Sequence, residues 1–113
     1  KYQLIPVCAE QMGGLTTPRT PCERIGDKVM SVEGEDRTAA YRHGAEEAMK
    51  LFDLFACDCA VLKARSPMCG SNVIYDGTFS GKFREGDGVL AEMLKVRGVK
   101  VYTEDEIFLL EQM

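Results

Sequence analysis

Tyr41, Ala45, Ala48, Phe52 and Phe55 recur at spacings of four, three, four and three, and the chain then passes almost at once into the unbroken apolar run Cys59-Ala60-Val61-Leu62. The first pattern lays one apolar stripe along a helix, with Asp36 or Thr38 as its N-cap. The second, within Asp58 to Lys63, has the length and continuity of a strand buried on both faces by flanking helices. A helix that must cover a strand constrains the chain to an α/β arrangement, and the flanking sequence extends it. Gln3 to Val7 reads as a strand delivering Cys8 into a loop. Residues 13 to 28 are turn-rich, and Thr17-Pro18-Arg19-Thr20-Pro21 excludes a helix there. Lys28 to Val32 suits a small hairpin or an edge strand. Asn72 to Tyr75 leads into a turn at Asp76-Gly77 and a polar, glycine-rich stretch through Gly81 and Gly86. Asp87 is placed to cap a second helix whose apolar side is Val89, Leu90, Met93, Leu94 and Val96, and which Gly98 ends. Val99 and Val101 alternate with Lys100 and Tyr102 as a last strand, and Thr103-Glu104-Asp105-Glu106 opens a terminal helix with capping-box chemistry. Helices alternating with strands predict βαβ units: a three-layer α/β domain with a mostly parallel sheet flanked by helices.

The 113 residues (12.5 kDa) are the size of a single domain, and 45% apolar with 28% charged residues is a globular balance. The longest apolar run is four residues, far short of a membrane span. A net charge of −4 supplies no field for a phosphate backbone, so duplex nucleic acid is not an expected partner. Five cysteines, an odd number at irregular spacing and without a secretion signal, argue against a disulfide framework and for a reducing, cytoplasmic compartment. The chain opens on Lys1 in what reads as the middle of an element, so an N-terminal strand and loop are expected to be missing from residues 1–113. Oligomeric state is not readable.

Ligands of open α/β sheets gather where strands end in loops at their carboxyl edge. Cys8 follows the first strand and Cys69 the central one, each beside proline and glycine; if those strands are neighbours, the two thiols share a crevice. Cys57 and Cys59 alternate on one strand face and read as small packing residues, and Cys22, in the proline-rich loop, as incidental. His43, the single histidine, lies near the start of the long helix and reads as exposed or structural, which removes the commonest general base. Glu10 can serve as acid or base beside a metal, or pair with Arg19 as a loop charge; Arg19 can instead bind an anion. Lys63 and Ser66 bracket the turn into Cys69, where the lysine can meet a negative cluster, a substrate oxygen or only solvent. Gly77, Gly81, Gly86 and Gly88 spell neither a P-loop nor a dinucleotide fingerprint and read as turn glycines. Asp76 suits a turn.

Pro6-Val7-Cys8-Ala9-Glu10-Gln11 with Gly13-Gly14-Leu15, Pro18-Arg19 and Pro21, then Leu62-Lys63 with Ser66-Pro67-Met68-Cys69-Gly70, then Ile74-Tyr75-Asp76-Gly77-Thr78-Phe79-Ser80-Gly81 and Gly86-Asp87-Gly88-Val89, resemble, in order and along the whole chain, the 2-thiouracil desulfurase family. The resemblance implies a Rossmann-like domain with a [4Fe-4S] cluster held by three cysteines, its fourth iron open. It also implies non-redox desulfuration of a thiolated pyrimidine or similar thiocarbonyl compound, in which water replaces sulfur on the ring carbon and sulfide leaves. Carried over, Cys8 and Cys69 match two cluster ligands, and Glu10 and Ser66 are the matching polar residues, read here as proton donor or acceptor and as hydrogen-bond partner of the substrate or of the ligand shell; Arg19 and Lys63 are read as substrate-binding. The third ligand belongs to an Ala-Cys-Leu type turn that does not occur here, and none of Cys22, Cys57 and Cys59 sits in a matching motif. Ala9 stands where the family usually has proline, and Met68 where it usually has serine.

Two other classes compete. A non-catalytic α/β binding or oligomerisation module would keep the scaffold without the cluster. A thiol redox protein needs a paired low-pKa cysteine, and the chain has no CxxC.

Overall fold

The computed structural model describes residues 9–14 and 20–106. The expected first strand at Gln3–Val7 lies outside the described residues. The chain enters as a single helical turn, α1 (Ala9–Met12), closed by Gly13 N–H donating to the Ala9 carbonyl at 3.1 Å. A tight antiparallel hairpin follows, β1 (Cys22–Ile25) and β2 (Lys28–Ser31), turning on Gly26-Asp27 with Ile25 opposite Lys28. Gly26 takes φ +60°, the left-handed conformation that two-residue hairpin turns require. The hairpin was anticipated from its second strand only: β1 falls in the stretch read as turns, because its Cys-Glu-Arg-Ile sequence has no apolar alternation. Both of its central charged residues, Glu23 and Arg24, are nevertheless buried. Successive strand residues face opposite sides, and each charge meets partners on its own side. Glu23 accepts backbone N–H groups from Gly77 and Phe79, while Arg24 donates to the Asp87 carbonyl at 2.7 Å and pairs with Glu92 at 2.6 Å.

The long helix is α2 (Thr38–Leu54). Neither expected cap sits at its boundary: Arg37 is the N-cap residue and makes no side-chain cap. Asp36 instead accepts the Thr38 N–H at 2.9 Å, and the Thr38 hydroxyl oxygen accepts the Val29 N–H at 2.9 Å, so the pair ties the helix start to the hairpin. Those Thr38 hydrogen bonds hold the Asp36 carboxyl below its usual range. Tyr41, Ala45 and Ala48 are buried as the stripe predicts, joined by Gly44 and Met49; Phe55 lies past the helix end and is half exposed. Gly44 is where α1 crosses α2. A Cβ there would stand 1.9 Å from the Ala9 carbonyl oxygen, and one on Gly13 would stand 2.0 Å from that of Ala40. Backbone lies on backbone at this crossing.

β3 (Cys59–Leu62) forms as expected, but Val61 is 41% exposed, so the strand is not buried on both faces. β4 (Val73–Tyr75) pairs antiparallel with β5 (Phe83–Glu85), a strand hidden in the glycine-rich stretch; all three β5 residues are exposed, and the strand lacks an apolar face to announce itself. α3 (Val89–Val96) ends at Gly98, φ +81°, as predicted. Its expected cap is different: Gly88 is the N-cap residue, and the Asp87 carboxylate accepts the Asn72 N–H at 2.8 Å and the Lys95 ammonium at 2.7 Å. β6 (Lys100–Thr103) lies parallel to β3 with Cys59 opposite Lys100. Half of the capping box at Thr103 is present, Glu106 accepting the Thr103 N–H at 3.1 Å over the 3-10 turn Glu104–Glu106, and the expected terminal helix beyond it lies outside the described residues. The described residues thus make a small α/β fold. Among them the strands pair as three two-stranded sheets of which one is parallel, in place of the expected mostly parallel sheet. One apolar cluster, including Tyr41, Ala45, Met49, Met68, Leu90 and Leu94, packs α2 and α3 against the Cys69 turn. Among the described residues no helix is long and apolar enough to cross a membrane.

Gly44→Ala forces the α1–α2 backbones apart and is expected to destabilise the fold by about 1–3 kcal/mol, the usual cost of overpacking; an unchanged urea midpoint would contradict the crossing. Asp87 gives a pH dependence. Burial pushes its carboxyl up, but the Lys95 and Asn72 hydrogen bonds outweigh that and hold it below the usual range. A carboxyl depressed in the folded state adds stability above its unfolded pKa, and that stability is lost as pH falls through the folded value. Asp87→Asn is therefore expected to flatten the loss of stability below about pH 4, measured as urea midpoint against pH.

Candidate functional site

The chain leaves β3 and reverses in a turn held by bonds from the 104–106 turn, from β4 and from the start of α3. Ala64 N–H donates to Glu104 at 2.7 Å, fastening the end of β3 to the end of β6. Arg65 and Asn72, at φ +69° and +70°, bracket the reversal in left-handed backbone that non-glycine residues adopt at a cost. Inside it, Gly70 N–H donates to the Ser66 carbonyl at 2.9 Å, and Cys69 N–H donates to the Ser66 hydroxyl oxygen at 2.7 Å. Ser66 therefore uses a lone pair to fix the Cys69 backbone and keeps its own proton for a further partner. From below, the amides of Gly88, Val89 and Leu90 donate to the carbonyls of Gly70, Pro67 and Met68, each at 2.8 Å. A Cβ on Gly88 would stand 2.5 Å from the Met68 carbonyl carbon and 2.6 Å from Cys69 N, so only glycine lets the helix start so close. Met68, 1% exposed, points into the core while Cys69 is only half buried.

Above this turn lies a crevice of about 760 Å³. Ser66, Cys69 and Lys63 line it, as do Tyr41, Tyr75 and, across from the turn, Ala9 of α1. Three of the residues singled out from sequence are thus brought to one cavity. Cys8 and Arg19 lie outside the described residues, as does the side chain of Glu10, whose backbone belongs to α1. Ala9 is buried against Gly44, so both departures from the family pattern, Ala9 and Met68, are absorbed into the apolar cluster.

Two lining residues were missed. Cys22, read as incidental, opens β1 and faces this crevice, its thiol 3.6 Å from the Thr20 carbonyl. Glu23 lines it too. No sequence signal separated either from the loop assigned there. Cys57 and Cys59 are half buried and do not line the crevice; burial foremost, then the charge of Asp58, pushes the Cys59 thiol up. His43 is exposed on α2, and Asp76 accepts the Thr78 N–H at 2.9 Å as a turn residue.

Among the described residues no group of three cysteine, histidine or acidic side chains forms a metal site. Two sulfurs, Cys22 and Cys69, reach the crevice beside the carboxylate-bearing Glu23 and Glu104; thiolates suit iron more than magnesium or calcium, and the cavity has room for an inorganic group beside a small planar molecule.

A solved structure described as the [4Fe-4S]-dependent thiouracil desulfidase TudS superimposes with a TM-score of 0.86 at 39% identity, covering 94% of this chain and 73% of that one. The uncharacterised protein YbbK of Bacillus subtilis (strain 168) is 39% identical over 113 residues, 91% of this chain and 75% of that protein. The sequence model of 2-thiouracil desulfurase matches residues 1–106. The protein belongs to the 2-thiouracil desulfurase family.

Proposed function

We propose that this protein is a [4Fe-4S]-dependent desulfurase that removes sulfur from a thiolated pyrimidine, or a similar small thiocarbonyl compound, in a reducing cytoplasm. The observation that carries the reading is the Ser66–Gly70 turn, which brings a cysteine, a hydroxyl with its proton to spare and Lys63 to one crevice of pyrimidine-admitting size; membership of the family supplies the chemistry. The reaction balances without electrons: water adds its oxygen to the thiocarbonyl carbon, the carbon–sulfur bond breaks, and sulfide leaves with the displaced protons. Cys8 and Cys69 would hold the cluster, and a third ligand has no matching motif in this chain. When bound, the cluster supplies an iron without a protein ligand, a Lewis acid for soft sulfur.

The chain's own residues then have separable tasks. Glu10 takes and returns the proton of the incoming water. Ser66 orients the Cys69 backbone through its oxygen and donates its proton to the substrate. Lys63, at the open end of β3, and Arg19 offset negative charge that gathers on the heterocycle. The single domain is read as Rossmann-like and three-layered.

Anaerobic reconstitution is expected to give a brown protein that releases sulfide from 2-thiouracil. Cys69→Ser should lose both the visible absorbance and the release. Ser66→Ala should keep the absorbance and lose about ten- to a hundredfold in kcat, the usual scale for a partner that orients a ligand. A colourless parent, or an absorbance indifferent to Cys69→Ser, would favour a non-catalytic module on the same scaffold.

A further inference from the structure

Glu23 is a carboxylate kept where a carboxylate is expensive. It is 8% exposed, and no cation pairs with it among the described residues. Removing an ionised carboxyl from water without a counter-charge is costly unless hydrogen bonds replace the lost hydration. Half of that replacement is in place: Oε1 accepts the N–H of Gly77 at 2.9 Å and of Phe79 at 3.0 Å, pinning the 76–81 loop, in which Phe79 takes φ +57°. Oε2 has no hydrogen-bond partner among the described residues, yet it is not among the buried polar atoms left unsatisfied, where Ser71 Oγ stands alone. Among the described residues this oxygen is neither paired nor sealed, and so faces open space. The open space at Glu23 is the crevice it lines with Ser66, Cys69, Lys63 and Tyr75.

We infer that Glu23 is a substrate-positioning residue whose Oε2 accepts a ring N–H of the heterocycle, so that the protein selects thiolactams bearing a free N–H. The inference rests on the desulfurase reading above. The geometry divides the side chain into two functions, with Oε1 serving the loop and Oε2 serving the ligand. A bare carboxylate oxygen accepts and never donates, so it discriminates in one direction: it binds an N–H edge and rejects an N-alkylated or hydrogen-bond-accepting edge. This supplies the polar end of recognition that neither a thiol cluster nor Lys63 can supply, since both address the sulfur or oxygen side of the ring.

The two functions separate in Glu23→Gln. Glutamine keeps an oxygen for the Gly77 and Phe79 amides but replaces the crevice-facing acceptor by an NH₂ donor. The reconstituted parent and Glu23→Gln are compared with 2-thiouracil, 1-methyl-2-thiouracil and 3-methyl-2-thiouracil, following sulfide release, while calorimetry follows binding of uracil and its two N-methyl derivatives. The expected result is that the parent prefers 2-thiouracil over one of its methyl derivatives by about ten- to a hundredfold in KM, the scale of a hydrogen bond to a charged acceptor. In Glu23→Gln that preference should vanish, because KM for 2-thiouracil rises to the level of the analogue while kcat and the melting temperature hold, and the uracil series should show the same loss in dissociation constant. A Glu23→Gln variant that keeps the parent's preference would show that the methyl group is excluded by shape and would overturn the inference, as would a parent without a preference. Sulfide release by the parent that is indifferent to Glu23→Gln sinks this inference alone. A parent that releases no sulfide but binds uracil with Glu23-dependent N–H selectivity sinks the desulfurase reading while retaining the recognition. Should Glu23→Gln not fold, Glu23→Asp, which withdraws the carboxylate from the crevice by one methylene, takes its place: loss of the preference for the N–H form is expected, and its retention would overturn the inference.

Discussion

Three amides at the start of α3 donate to three carbonyls of the turn that carries Cys69, and much of the architecture serves that contact. The first N–H groups of a helix have no partner within it and must find one. Here no serine, threonine or aspartate caps the helix; the turn itself does so, and its carbonyls lose their own need of water in the same act. Gly88 makes the approach possible because any side chain would collide with the Met68 and Cys69 backbone. Asp87, released from capping, ties Asn72 on the far side of the turn to Lys95 within α3. The turn around the cysteine is held by main-chain bonds that depend on two side-chain choices, glycine at position 88 and the Ser66 hydroxyl that accepts the Cys69 N–H.

The hairpin of β1 and β2 solves a different problem, that of placing two charges inside a small domain. Arg24 is satisfied toward α3 by Glu92 and two carbonyls, Asp87 and Gly26. Glu23, on the opposite side, is met at Oε1 by the loop that follows β4. A four-residue strand thereby links the helical layer to the crevice loop, using charge-assisted bonds where a larger protein would use apolar area.

Sequence carried the parts whose burial is periodic. The stripe from Tyr41 to Ala48, the run Cys59–Leu62, the helix before Gly98 and the strand after it are all present, since period and punctuation report directly on which faces are covered. The Ser66–Gly70 turn was legible from its proline and glycine, and with it Cys69. What escaped lacked an apolar signature. β1 buries glutamate and arginine, β5 buries nothing, and Asp87 was assigned to the nearest helix start because its partners, Asn72 and Lys95, lie at distances that only the folded chain reveals. Continuity with its neighbours makes Val61 look interior, but continuity does not say how many strands border a run, and Val61 is exposed.

Met68 and Cys69 are neighbours in the chain that bound both the apolar cluster and the crevice, the first almost fully buried, the second half buried. A thioether and a thiol therefore share a single pivot. The interior packing of this small domain thus reaches its cavity wall through one peptide bond, and a change at either sulfur is felt by the other.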